Sequence, residues 1–177
     1  KKEFKSISVL KNEQFSYQLA YKVDNEDIYA TGELKIEVNS PLKDLLSVRY
    51  VGNVPVELPA YNFADKNFER RTPGMYPDVL YPIEGRNMVR ARHTWQSFWI
   101  TVKLDGSIPA GKYPIEIRLL LGDGESVTTE VVKILQVEII DAFLPKQELK
   151  LTQWFHTDCI ADYYINGLPK IGEWRDI

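Results

Sequence analysis

The sequence predicts a mainly β protein in which residues 1–145 form an antiparallel β-sandwich of immunoglobulin-like or jelly-roll-like type. Three observations predict this class. Apolar and polar residues alternate along many short segments, which is typical of strands that bury one face. Turn-forming residues cluster between these segments, as in DNED, NSP and LDGSIPAG. Finally, no segment before residue 145 has a convincing helical period.

The candidate strands follow from this alternation, because side chains two residues apart share one face of a strand. Three shorter candidates span residues 4–10, 45–51 and 54–58. The regular ones, with their inward residues, are QFSYQLAYK (Phe15, Tyr17, Leu19, Tyr21), LKIEVN (Leu34, Ile36, Val38), FWITVKL (Phe98, Ile100, Val102, Leu104) and KYPIEIRLLL (Tyr113, Ile115, Ile117, Leu119, Leu121).

The run SVTTEVVKILQVEIID, residues 126–141, is long for one strand. Its apolar residues change phase, since Val127 and Val131 lie on one face and Val132 and Ile134 on the other. This change predicts either a β-bulge or a strand that bends between two sheets.

Residues 59–94 interrupt the strand pattern. Four prolines in this segment cannot donate to a β-ladder, so the sequence predicts a long connection without continuous strands. Its tyrosines and phenylalanines favour an ordered loop packed on the sandwich. Its arginines alternate with acidic residues, which indicates solvated ion pairs.

A second pattern begins at residues 146–177. The segment LKLTQWFH, residues 149–156, carries bulky groups on both faces, as strands of parallel sheets do. The following DCIADYYI suits a first helical turn. A strand, a loop with His156 and Asp158, and a helix are how a β/α unit begins, so this tail is expected to be the start of a larger domain.

Composition excludes several classes of protein. The chain has 177 residues, 44% hydrophobic and 27% charged residues, and a net charge of −3, which is ordinary for a soluble domain and gives no basic field for nucleic acid. No apolar run reaches the roughly 18 residues of a membrane span. A single cysteine, Cys159, excludes an internal disulfide and leaves both the cytoplasm and the secreted compartment open. Oligomeric state is also left open.

Several segments together resemble family 123 glycoside hydrolases. They are VPVELPAYNFADKNFERRTPGMYPDVLYPI, QSFWITVKLDGSIPAGKYPIEI and LTQWFHTDCIADYY, and they span most of the chain. The resemblance implies an N-terminal β-sandwich (1–145) followed by a catalytic (β/α)8 barrel, of which residues 146–177 would be the linker, first strand and helix start.

The resemblance also implies hydrolysis of β-linked N-acetylgalactosamine by a neighbouring Asp–Glu pair, with the substrate acetamide as nucleophile. That pair would lie on a later barrel strand, so no catalytic residue is assigned in this chain. The closest formal match, Glu26-Asp27, is better explained as a solvated turn. No cofactor is expected, and the expected partner is the protein's own barrel.

Three residues of the predicted barrel strand are substrate-binding candidates. His156 and Asp158 would hydrogen-bond sugar hydroxyls at its carboxyl end, and Trp154 would pack near the ring. The simpler interpretation is that Trp154 belongs to the strand's core and Asp158 caps the next helix. His156 and Cys159 lack the further ligands that a tetrahedral metal site needs, so no metal is predicted.

Trp95 and Trp99 form the other candidate. On a strand they share the face opposite Phe98, so they predict an exposed aromatic platform that serves as an interface. The alternative is that the long 59–94 segment, or the barrel, covers them.

Three functions remain open from the sequence. We favour a non-catalytic accessory domain that packs on a glycoside hydrolase barrel. The others are a free-standing carbohydrate-binding module that stacks glycans on Trp95 and Trp99, and a structural or cell-surface interaction domain.

Overall fold

The structure is a computed structural model, and it describes residues 3–23, 32–57, 70–83, 88–90, 94–122, 126–146, 148–150 and 152. Contacts divide the chain into two units, Lys1–Leu144 and Pro145–Ile177. The first, called here the two-sheet unit, contains all of the described strands. In the second, residues 148–150 and 152 have no regular secondary structure. The rest of the predicted strand 149–156 lies outside the described residues, as does the predicted start of a barrel.

The two-sheet unit is built from short strands. In chain order they are β1 (Ser6–Leu10), β2 (Gln14–Tyr21), β3 (Glu33–Asn39), β4 (Leu46–Val56), β5 (Gly74–Pro82), β6 (Met88–Arg90), β7 (Gln96–Lys103), β8 (Gly111–Gly122) and β9 (Val127–Ile140). One turn of 3-10 helix, Lys43–Leu45, precedes β4. In the described part of the chain no helix has the length and apolarity to span a membrane.

The strands form two sheets. The first sheet has the order β1-β9-β8-β3-β6 and the second has the order β2-β7-β4-β5. All pairs are antiparallel except β1 and β9, which are parallel, with Ser6 opposite Gln136 and Leu10 opposite Ile140. The prediction of a mainly β protein is therefore confirmed, and its two sheets are mostly antiparallel.

One hydrophobic core contains the inward residues of both sheets. Phe98, Ile100 and Val102 of β7 are fully buried, and so is Ile115 of β8. The Phe98 ring stacks on Tyr21 of β2 at 5.1 Å between centroids. The alternation read from the sequence thus gives the correct inward face for β2, β3, β7 and β8, because burial of one face is what fixes the phase of a strand.

The prediction of a strand-free connection across residues 59–94 is wrong. The segment includes β5, which pairs with β4, and β6, which pairs with β3. The prolines are tolerated because β5 is an edge strand, and its Pro77 and Pro82 need no ladder partner on the open side.

The two candidate strands at 45–51 and 54–58 are one strand, β4. A register irregularity between Val51 and Asn53 joins its two halves. Gly52 leaves room there for the Tyr81 ring of the neighbouring strand, because a Cβ on Gly52 would clash with Cε2 of that ring.

The change of phase in β9 has neither of the two predicted causes. β9 pairs with β8 in unbroken register from Thr129 to Ile139, and the register shifts only near its start, at Leu121 and Gly122 of β8. Neither a bulge at the phase change nor a switch between sheets occurs. The apolar residues of the second phase, Val132 and Ile134, are instead exposed on the outer face of the first sheet.

Candidate functional site

Trp95 and Trp99 differ in their surroundings. Trp95 lies just before β7 and its side chain is 69% exposed. Trp99 is half-buried on the outer face of the second sheet, opposite Gln18 of β2 and Arg49 of β4. A shared platform therefore stays a prediction, in which Trp95 supplies the exposed ring. Trp154, His156 and Asp158 lie outside the described residues.

A groove with a volume of about 480 Å³ lies between β2 and β9. It is called here the β2–β9 groove. One wall is formed by Leu19 and Tyr21 of β2, and the other by Thr129 and Val131 of β9. The groove floor consists of Leu34, Leu119 and Leu121, and Trp95 and Lys22 are also part of the lining.

The groove is open because β9 extends beyond β1, the strand beside it at the edge of the first sheet. β1 pairs only with Gln136–Ile140 of β9. The residues that lead into β1 run beside the next part of β9, where Glu3 Oε1 lies 2.8 Å from Lys133 Nζ. Among the described residues, no strand pairs with the β1-side edge of β9 from Val127 to Val132. Beside this part of β9, the space between the two sheets is open and is lined mainly by apolar side chains.

The inward residues of this part of β9 continue the phase of the core. Thr129, Val131 and Lys133 face inward because they are in step with Leu135 and Val137, which are buried. Val131 is nevertheless 42% exposed. An inward-facing valine with this exposure marks a position where the core lacks a covering layer.

The charge of the groove is one-sided. Its lining in the described residues contains two lysines, Lys22 and Lys133, and no acidic side chain. Lys133 also meets Glu3, which lies outside the lining. The Lys133 ammonium is therefore already balanced by a carboxylate.

Next to the groove, Phe4, Tyr17 and Ile134 line a smaller pocket of about 320 Å³. The Phe4 and Tyr17 rings lie 6.5 Å apart between centroids. The Tyr17 hydroxyl is buried and has no hydrogen-bond partner among the described residues. Burial raises the pKa of this hydroxyl above its ordinary value, because the phenolate would be poorly solvated there.

Among the described residues, no group of three or more His, Cys, Asp or Glu side chains is arranged to hold a metal ion. The lining of the β2–β9 groove includes a threonine, a tyrosine and two lysines as its polar side chains. This donor set suits hydrogen bonding and charge pairing.

The fold is similar to that of known structures. A family 123 glycoside hydrolase from Clostridium perfringens, studied for glycolipid glycan hydrolysis, superposes with a TM-score of 0.60 and 8% sequence identity. The match covers 79% of this chain and 23% of that chain, so the present chain spans less than a quarter of the hydrolase. At this identity the likeness shows the fold alone.

A second structure, PapD-like domain 7 of human CEP192, matches with a TM-score of 0.37 and 16% identity, over 79% of this chain and 84% of that one. The sequence itself matches no protein-family model and none of the curated protein sequences.

Sequence analysis did not identify the groove, although β9 carried a signal for it. Val131, Val132, Ile134 and Leu135 place apolar residues on both faces of one strand, a pattern typical of strands covered on both sides. The sequence analysis instead predicts a bulge or a strand that bends between two sheets. The sequence does not show that β1 pairs only with Gln136–Ile140 of β9. That observation is needed to recognise that the first half of β9 has no strand beside it among the described residues on the β1 side.

Proposed function

We propose that the two-sheet unit is a non-catalytic accessory domain of a longer protein related to family 123 glycoside hydrolases. In this proposal it is a β-sandwich that packs on and supports a catalytic (β/α)8 barrel, whose first strand would begin within residues 146–177. The parent protein would hydrolyse a glycan with a terminal N-acetyl-β-galactosaminide.

The observation that carries the proposal is the superposition of 79% of this chain on a family 123 glycoside hydrolase. A likeness of fold does not by itself assign function. The proposal therefore also draws on the resemblance of LTQWFHTDC, residues 151–159, to the segment that opens the barrel in that family. Both observations concern the same family.

Exposed apolar side chains are consistent with a packing role. Val132 and Ile134 of β9 are 44% and 49% exposed on the outer face of the first sheet, and Phe143 is 60% exposed. Surfaces of this kind commonly mark contacts with another domain or protein.

The test is an activity comparison. The 177-residue chain is expected to release no product from 4-nitrophenyl N-acetyl-β-galactosaminide. A longer protein, extended through the coding sequence downstream of Ile177, is expected to do so. Turnover by the 177-residue chain that a point substitution abolishes would contradict the assignment of catalysis to the barrel. A downstream sequence without alternating strand and helix patterns would contradict the accessory role.

A carbohydrate-binding module is the second candidate, because Trp95 offers a largely exposed ring beside an apolar groove. Aromatic rings stack on the apolar faces of sugars, and such a ring would be expected to give millimolar affinity. Calorimetric titration with N-acetylgalactosamine oligosaccharides tests this function. Loss of binding in Trp95→Ala, with binding kept in Trp99→Ala, would favour it over the accessory role.

A further inference from the structure

The last residues of the two-sheet unit, residues 141–144, are called here the exit segment. They follow β9 and lead to Pro145, where the second unit begins. They have no regular secondary structure, and Phe143 is 60% exposed. A short irregular segment outside the sheets is ordinarily among the most mobile parts of a domain, because no ladder of hydrogen bonds holds its backbone.

The turn between β1 and β2 supplies hydrogen bonds to the exit segment. The N–H of Leu144 donates to Asn12 Oδ1 at 2.6 Å, and Asn12 Nδ2 donates to the carbonyl of Leu144 at 3.1 Å. The N–H of Lys11 donates to the carbonyl of Ala142 at 2.9 Å. Since an asparagine side chain has the donor and the acceptor of a peptide group, Asn12 pairs with Leu144 as a neighbouring strand would.

Two side-chain contacts hold the same segment. The Lys11 ammonium forms an ion pair with Asp141 and lies 5.4 Å from the centre of the Phe143 ring. The Phe143 ring also lies against Gly106, where an added Cβ would be 2.8 Å from Cε1 of the ring. Phe143 therefore has contacts that restrict it although most of its surface is exposed.

Both parts of the unit that hold the exit segment are connections between the sheets. The β1–β2 turn joins the first sheet to the second, and so does the connection between β7 and β8, which contains Gly106. The turn is itself held, because the Leu10 N–H donates to Glu13 Oε2 at 2.9 Å and the Leu104 N–H donates to the Glu13 carbonyl at 3.1 Å. The exit segment is therefore attached to both sheets at once.

We propose that the exit segment is a rigid connector, so that the chain leaves the two-sheet unit in one fixed direction. Asn12 positions Leu144, and Lys11 positions Asp141 and Phe143. Any freedom of the chain then begins after Leu144. The connector concerns the two-sheet unit alone, and only its use in supporting a following domain rests on the proposed function.

The alternative is that these contacts only add stability to the unit as a whole. The two roles differ in which amides exchange with solvent. Loss of global stability speeds the exchange of the core amides, whereas local release speeds the exchange of the exit segment alone.

The experiment uses the isotope-labelled 177-residue chain and NMR spectroscopy. The order parameter of the Leu144 amide is expected to be about 0.85 in the wild type, as for rigid backbone, and below about 0.6 in Asn12→Ala. Hydrogen exchange of the Leu144 amide is expected to be at least about tenfold faster in Asn12→Ala, while exchange at the buried Val137 of β9 changes less than about twofold.

Two variants control for the effect of substitution itself. Asn12→Asp keeps the acceptor for the Leu144 N–H and loses the donor, so exchange at Leu144 is expected to stay within about threefold of the wild type. Asn39→Ala makes the same truncation at the end of β3 and is expected to leave Leu144 unchanged. Thermal unfolding checks that all variants are folded.

A second pair of variants tests the contribution of Lys11. Lys11→Met removes the ammonium and keeps an apolar stem, and it is expected to lower the order parameters of Asp141 and Phe143 but not that of Val137. Lys112→Met, at an exposed position of β8, is expected to change none of them.

Several results would overturn the connector. They are an order parameter of Leu144 below about 0.6 in the wild type, and unchanged exchange at Leu144 in Asn12→Ala. Equal acceleration of exchange at Leu144 and Val137, or loss of the fold in Asn12→Ala, would show that Asn12 stabilises the whole unit and would overturn the proposal as well.

Discussion

Replacing Tyr17 with phenylalanine is expected to leave the protein as stable at neutral pH as the wild type, or more stable. Most substitutions of buried tyrosine lose a hydrogen bond. The Tyr17 hydroxyl is buried without a partner among the described residues, so Tyr17→Phe removes a desolvated polar group and keeps the ring in place.

The magnitude follows from this environment. Burying a hydroxyl without a hydrogen bond costs about 1–3 kcal/mol in protein mutational data. Loss of one oxygen's packing contacts offsets part of the gain, since small voids forfeit dispersion contacts. The free energy of unfolding of Tyr17→Phe is therefore expected to lie between that of the wild type and about 2 kcal/mol above it.

The same hydroxyl predicts a dependence on alkaline pH. Burial raises the pKa of Tyr17 in the folded state above its value in the unfolded chain, which is about 10. The stability that this group contributes is fully present below about pH 10 and is lost as pH rises further, because the unfolded chain releases the proton first. The advantage of Tyr17→Phe over the wild type should widen by about 1.4 kcal/mol between about pH 9 and pH 11.

Urea unfolding followed by tryptophan fluorescence at several pH values measures both effects. Tyr113→Phe is the matched control, because its hydroxyl donates to the carbonyl of Pro109 at 2.9 Å. That variant should lose about 0.5–1.5 kcal/mol at neutral pH. Two results would refute the argument. One is a loss of unfolding free energy in Tyr17→Phe as large as that in Tyr113→Phe. The other is a difference in unfolding free energy between Tyr17→Phe and the wild type that stays constant up to about pH 11.

Two further predictions concern packing. Phe98→Ala should lower the free energy of unfolding by about 3–5 kcal/mol, because Phe98 is fully buried and contacts both Tyr21 and Tyr50. A loss below about 1 kcal/mol, measured by chemical denaturation, would contradict a core shared by the two sheets. Gly106→Ala should destabilise the folded protein by about 1–3 kcal/mol, since Gly106 has φ of +88° and a Cβ there would lie 2.8 Å from the Phe143 ring. A thermal unfolding midpoint unchanged from that of the wild type would contradict this prediction.

The period-two alternation determined which residues enter the core. Phe15, Ile36, Ile100 and Ile117 were predicted to face inward, and all four are buried. This succeeds because alternation is a local property, and a strand with one apolar face can bury only that face.

The tertiary structure decided which strands lie at an edge. Pro77 argued against a strand because proline cannot donate to a ladder, yet it lies within β5, whose open side needs no donor. The position of a strand within its sheet depends on long-range pairing, which the residues next to a proline in the sequence do not reveal.

The parallel pairing of β1 with β9 was also outside the reach of sequence patterns, since it joins segments about 130 residues apart. This pairing covers Gln136–Ile140 of β9, and among the described residues no strand pairs with the same edge from Val127 to Val132. The sequence by itself therefore determined a β protein with a definable core. Only the tertiary structure decided that Val131, which has an ordinary inward phase, lies in an open groove. The reason is that the exposure of an inward residue depends on which strands pack next to its own.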